Sequence, residues 1–126
     1  MDRQIRREYI RTDSWRVEAK VSEDMKTWFN VEVPDISAGG LMFNTDKLYN
    51  VGDILWLEVY INPKMLHIGD INIKSKAVVK SVREVRGGHN AVGVEFRELP
   101  KNTQIHLDEV INWTISRYGV FDNFDA

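Results

Sequence analysis

Ile54-Leu55-Trp56-Leu57-Glu58-Val59-Tyr60-Ile61 is the clearest strand in this chain, and the signals on either side of it set the pattern for the rest. Asn50-Val51-Gly52-Asp53 is turn chemistry ahead of it, and Asn62-Pro63-Lys64 breaks it. Upstream, Trp15, Val17, Ala19 and Val21 alternate with Arg16, Glu18 and Lys20, the period of a half-buried strand. Ser22-Glu23-Asp24-Met25-Lys26 turns into a second strand through Trp28, Phe29, Val31 and Val33, ending at Pro34. Gly39-Gly40 turns the chain into a short third strand, Leu41-Met42-Phe43. Downstream, a strand from about Ile71 to Arg86 alternates through Ile71, Ile73, Ser75, Ala77 and Val79. Its phase then changes toward Val82 and Val85, which predicts a bulge or bend. Arg86-Gly87-Gly88-His89-Asn90 predicts a hairpin turn, and Ala91-Val92-Gly93-Val94-Glu95-Phe96 the last strand.

After Pro100 the period changes. Ile105, Leu107, Val110, Ile111, Thr114, Ile115 and Tyr118 recur at three- and four-residue spacing, which predicts an amphipathic helix from Lys101 to about Arg117, stopped by Gly119. Six short strands followed by one helix predict a mainly β fold: a small six-stranded antiparallel barrel with a C-terminal helix. Residues 1–13 are polar and irregular and read as a flexible arm, 14–118 as the barrel with its helix, and 119–126 as a tail. Trp15, Trp28, Trp56 and Trp113 are expected to be core aromatics.

Composition narrows the function. At 126 residues, with 43% hydrophobic and 29% charged residues, the chain reads as one soluble domain able to bury a core unaided. It has no cysteine, so disulfides and zinc–thiolate sites are excluded, and a cytoplasmic setting is expected. The N-terminal arginines have no apolar run after them, so no secretory signal and no membrane insertion are expected. His67, His89 and His106 are dispersed without metal-ligand spacing, and no metal site is expected. No GxSxG elbow surrounds Ser37, there is no GxxxxGKS phosphate loop, and no catalytic residues are assigned: the chain reads as a non-enzyme. A net charge of −2 argues against binding DNA or RNA. That charge is uneven. Arg3, Arg6, Arg7 and Arg11 stand against only Asp2 and Glu8 in the first eleven residues, a basic arm on an acidic body. This suits a small anionic ligand better than a long polyanion.

Two strings carry the chemistry: Arg6-Arg7-Glu8-Tyr9-Ile10-Arg11 and Asp35-Ile36-Ser37-Ala38-Gly39-Gly40. Guanine donates from N1 and N2 on one edge, where a carboxylate is the natural acceptor. Its other edge presents O6 and N7, which a guanidinium contacts bidentately. Guanidinium planes also stack on bases and fork onto phosphates. Asp35 and Ser37 could serve the donor edge and the sugar or phosphate oxygens. Arg7 and Arg11 could serve O6/N7, the ring face and the phosphates. Gly39 and Gly40 would allow close backbone approach and positive φ at the turn.

The arrangement resembles the PilZ domain, a bacterial receptor for the second messenger cyclic di-GMP. That family carries an RxxxR motif, often preceded by another arginine, and a downstream D/NxSxxG motif. Arg7-Glu8-Tyr9-Ile10-Arg11 and Asp35-Ile36-Ser37-Ala38-Gly39-Gly40 match them in order. Leu48-Tyr49-Asn50-Val51-Gly52-Asp53 and Gly93-Val94-Glu95-Phe96 also look like family segments, and the likeness spans roughly residues 3 to 118. Arg3-Gln4-Ile5-Arg6-Arg7 is a second RxxxR match; the Arg7/Arg11 register is preferred because it lies nearer the first strand and has the doubled arginine before it. The resemblance implies that Arg7 and Arg11 clamp guanine and phosphate and that Asp35 and Ser37 bond the ligand from the barrel. It implies that Gly40 fills the motif's terminal glycine and that Arg6 stacks on a base. It implies a cyclic di-GMP receptor without a cofactor, signalling by ordering its arm to alter the surface met by a downstream protein. The alternative is a PilZ-like adaptor that binds protein and not nucleotide. A barrel binding single-stranded nucleic acid through its arm is disfavoured by the charge.

Overall fold

The computed structural model describes residues 10–11, 15–63 and 69–118. Its strands are β1 (Ile10–Arg11), β2 (Arg16–Ser22), β3 (Trp28–Ser37), β4 (Gly40–Thr45), β5 (Ile54–Asn62), β6 (Ile71–Val85) and β7 (His89–Arg97), followed by the helix α1 (Lys101–Tyr118). All pairings are antiparallel. The order β3-β2-β5-β6-β7-β4, closed by β3 against β4, makes the six-stranded barrel that the periodicity predicts, and β1 adds to β3. Closure leaves a twisted sheet without a long exposed edge.

Period-two patterning builds the wall. On β5, Leu55, Leu57, Val59 and Ile61 are buried while Trp56, Glu58, Tyr60 and Asn62 are half-exposed. They meet Ala77, Ser75, Ile73 and Ile71 of β6 across the ladder. Ser75 is the polar member of that inner row, and its hydroxyl bonds to the Arg97 carbonyl at 2.7 Å. The phase change in β6 is a bulge. Val79 pairs with Val94 but Ser81 pairs with Gly93, so Lys80 is the extra residue. The Asn50–Asp53 turn is held by the Asp53 carboxylate, which accepts from the Asn50 amide at 2.8 Å.

Four expectations need correction. The second strand does not end at Pro34: β3 runs on to Ser37 through a bulge between Glu32 and Asp35. Proline lacks a ladder donor and is tolerated at such an interruption. Only Trp15 among the four tryptophans joins the buried core. Trp56 shares the half-exposed face of β5 with Glu58 and Tyr60, because alternation overrides its hydropathy. Trp28 and Trp56 flank Ser22 in one cross-strand row, and Ser22 is fully buried between them. Trp113 is half-exposed on α1. Ile105, counted in the apolar stripe of the helix, is exposed, whereas Leu107, Val110, Ile111 and Thr114 are buried. Finally, Ile10–Arg11 form a strand inside a stretch whose polar composition reads as irregular.

The helix starts directly after Pro100, at Lys101, and packs against β6 and β1. Among the described residues, no helix is long and apolar enough to cross a membrane.

Candidate functional site

The β3 bulge decides where the second motif points. Upstream of it Val33 is buried, and downstream Ile36 is buried, three residues later rather than two or four. The inserted residue shifts the strand phase, so Ile36 takes the core position and Asp35 and Ser37 fall on the opposite side of the wall. Without the bulge, strict alternation from Val31 and Val33 would send Asp35 and Ser37 into the core. Both are nonetheless covered, at 8% and 3% exposure.

Ser37 pairs with Gly40, leaving Ala38 and Gly39 as a two-residue hairpin turn. The Ser37 hydroxyl donates to the Gly40 carbonyl at 3.3 Å. Gly40 supplies clearance rather than the positive φ expected of the turn. A Cβ there would run into the Val94 carbonyl oxygen and come within 3.0 and 3.1 Å of the Val94 carbonyl carbon and Glu95 Cα, while its φ is ordinary. The tip is fastened from two sides. The Gly39 carbonyl accepts from the Phe96 amide at 2.9 Å. The Ala38 carbonyl accepts from Gln104 Nε2, on α1, at 2.9 Å.

The first motif meets this hairpin through β1. Ile10 pairs with Ile36, and Arg11 pairs with Asp35. Directly opposed residues of an antiparallel pair hold their Cβ atoms about 5 Å apart. Two residues separated by 23 intervening positions in the chain are thus cross-strand neighbours. On its other edge Asp35 pairs with Met42, which pairs with Gly93, and Gly93 with Ser81. A Cβ at Gly93 would lie 2.5 Å from Ser81 Oγ, so that row stays low beside the motif. Glu95, opposite Gly40, has an ion pair with Arg97 at 3.3 Å.

Of the predicted site residues, the structure brings together Arg11, Asp35, Ser37, Gly39 and Gly40. Arg6 and Arg7, with the alternative Arg3, lie outside the described residues, and of Arg11 only the backbone placement is described. Sequence reasoning missed Gln104 and the Met42–Gly93–Ser81 row. Gln104 carries no signal that separates it from its polar helical neighbours, but Gly93 inside a strand is a cue to close approach. Two open clefts, of about 500 and 580 Å³, lie on other parts of the wall. Neither is lined by Asp35, Ser37 or Gly40. Among the described residues no group of three or more His, Asp or Glu is placed to hold a metal ion.

Comparison with known proteins gives one family and several solved folds. The family model described as PilZ domain matches residues 5–113. The inhibitor of motility MotI/DgrA of Bacillus subtilis aligns with TM-score 0.67 at 21% identity, over 90% of this chain and 53% of that one. The MrkH–c-di-GMP complex of K. pneumonia aligns with TM-score 0.64 at 15% identity, over 89% and 52%. YcgR of Escherichia coli in complex with c-di-GMP aligns with TM-score 0.63 at 15% identity, over 89% and 46%. This chain therefore spans about half the length of these proteins. No curated protein matches its sequence.

Proposed function

Because the chain belongs to the PilZ domain family, we propose that it is a receptor for cyclic di-GMP, binding the dinucleotide between its N-terminal arm and the β3–β4 hairpin. The observation that carries the reading is the register of β1 on β3, which sets Arg11 of one motif across from Asp35 of the other. An arginine and an aspartate at facing strand positions carry the two kinds of group that the two edges of guanine call for. Two solved neighbours described as c-di-GMP complexes, MrkH and YcgR, share the fold and add support.

In this reading Arg7 and Arg11 clamp guanine and phosphate, Asp35 accepts from guanine N1 and N2, and Ser37 bonds a sugar or phosphate oxygen. Arg6 stacks on a base. Gly39 and Gly40 keep the hairpin low enough for the ligand to approach. Asp35 and Ser37 are covered, so access requires neighbouring chain to move. With Ile10 and Arg11 already paired to β3, the part of the arm ahead of them, residues 1–9, is proposed to supply that movement. The ligand's phosphates neutralise the arginines, the arm orders against the barrel, and the surface presented to a downstream protein changes. The receptor works in the cytoplasm, without a cofactor and without chemistry of its own.

The test is calorimetric titration with cyclic di-GMP, with GTP and cyclic di-AMP as controls. Saturable binding of cyclic di-GMP alone is expected, and its inflection reports the number of ligands bound. Arg7→Ala and Arg11→Ala are each expected to abolish binding while circular dichroism and the unfolding midpoint stay as in the wild type. Absence of binding by the wild type would transfer the reading to a protein-binding adaptor. Unfolding of the arginine variants would assign those side chains to the fold instead.

A further inference from the structure

The hairpin tip and the helix share one side chain. Gln104 sits in the first turn of α1, and its own amide donates to the Pro100 carbonyl at 2.9 Å. Its side-chain nitrogen donates to Ala38 O at 2.9 Å and to Asp108 Oδ1 at 3.0 Å. A primary amide has two hydrogens, and here one points into the barrel hairpin and the other stays on the helix. The adjacent tip carbonyl, Gly39 O, is held by Phe96, four residues before Pro100. The last residues of β7 and the first turn of α1 therefore grip the same two-residue turn.

We propose that Gln104 is a positioning residue that sets the Ala38–Gly39 tip for the ligand and carries occupancy of the hairpin into α1. The proposal rests on the receptor reading for its ligand and adds the route by which binding leaves the site. The physical basis is an exchange of partners. To the backbone pairing that closes the hairpin, Ser37 adds a long 3.3 Å side-chain contact to Gly40 O, so a ligand oxygen competes readily for its hydrogen. Losing that contact lets the turn shift, and Ala38 O moves relative to Gln104. The amide then keeps Asp108 and gives up Ala38, so release leaves one of its hydrogens bonded and the switch has two defined arrangements. The face that responds is the N-terminal half of α1, where Ile105 is exposed beside Gln104. A downstream protein reading that half of the helix senses the ligand without touching it.

Hydrogen exchange of the full chain, with and without cyclic di-GMP, tests this. Gln104→Met keeps side-chain length and helix propensity but removes the donor. In the ligand-free protein this variant is expected to speed exchange in both the 38–43 and 101–108 segments by roughly fivefold, the effect of one lost hydrogen bond. Asn102→Ala, exposed on the same turn, is expected to leave the 38–43 segment unchanged. With cyclic di-GMP bound, as verified by calorimetry, the wild type is expected to change exchange in 101–108, and Gln104→Met to bind without that change. Unaltered exchange of 38–43 in the ligand-free variant overturns the latch. A helix response that persists in Gln104→Met overturns the route. Failure of the wild type to bind cyclic di-GMP overturns the receptor reading and the coupling to it, and is recognisable because the ligand-free comparison still reports on the latch.

Discussion

Gly39-Gly40 and Gly87-Gly88 are the two glycine pairs of this chain, and each lies at a hairpin of the same barrel. Their demands are opposite. Gly87 and Gly88 have φ of 81° and 78°, a region an L side chain enters only at a cost, and both are exposed between β6 and β7. Gly40 has an ordinary φ and is buried, and the backbone at Val94 and Glu95 leaves no room for a Cβ. One pair bends the chain in solvent. In the other, Gly40 lets two strands close on each other, with the tip fastened by Phe96 and Gln104. The difference separates a turn that only connects from a turn around which neighbouring elements are organised.

Alanine at each position sharpens the contrast. Gly40→Ala is expected to be the most damaging, because the obstacle is neighbouring backbone and cannot rotate away. A loss of about 3 kcal/mol is expected, at the upper end of what overpacking costs, read as a lowered urea midpoint. A loss below about 1 kcal/mol would mean that β4 and β7 separate easily, and the distinction between the hairpins would fail. Gly88→Ala meets open space and carries only the conformational penalty, about 1 kcal/mol. On the proposed receptor reading, its cyclic di-GMP affinity is expected to equal that of the wild type. Loss of binding there would put the ligand on the other hairpin. Gly93→Ala falls between these cases, because its obstacle is a serine hydroxyl that can move or be removed. Most of its destabilisation is expected to disappear in the double variant with Ser81→Ala, as a double-mutant cycle would show.

How much of this was legible follows from where the sequence repeats itself. The inner faces of β2, β5 and β7 could be read because period-two alternation of apolar residues is what a barrel wall requires. The bulge in β6 could be read because apolar residues flank it on both sides, and Val79 to Val82 records the slipped phase. The bulge in β3 could not. Polar Asp35 and Ser37 follow it, so Pro34 looks like a stop, and only Ile36 hints that the strand continues. The tryptophans misled because hydropathy places them inside, whereas the alternation of β5 commits Trp56 to the side of Glu58 and Tyr60. The motifs were legible as strings, but their geometry was not. A two-residue strand has no period, so the pairing of Arg11 with Asp35 lies beyond any pattern in the chain. Gln104 is a long-range partner of Ala38, 66 residues away, and nothing local announces it.

The smallest expected effect on stability comes from Ser37→Ala, and it asks whether the serine of the fastened hairpin serves the fold or the ligand. Its hydroxyl is covered, and its described acceptor is Gly40 O at 3.3 Å, a distance at which a hydroxyl bond is weak. The backbone pairing of Ser37 with Gly40 remains when the hydroxyl is removed. Alanine is also accommodated here, because the residue lies in an extended strand and nothing is added to its volume. The unfolding free energy is therefore expected to fall by less than about 1 kcal/mol. If the hydroxyl bonds the ligand, affinity for cyclic di-GMP falls at least about tenfold, the weight of roughly 1.4 kcal/mol. A variant stable but poor at binding assigns the serine to the ligand. One that loses several kcal/mol and binds in proportion to its folded fraction assigns it to hairpin closure, and the second motif would then owe its serine to the same packing demand that fixes Gly40.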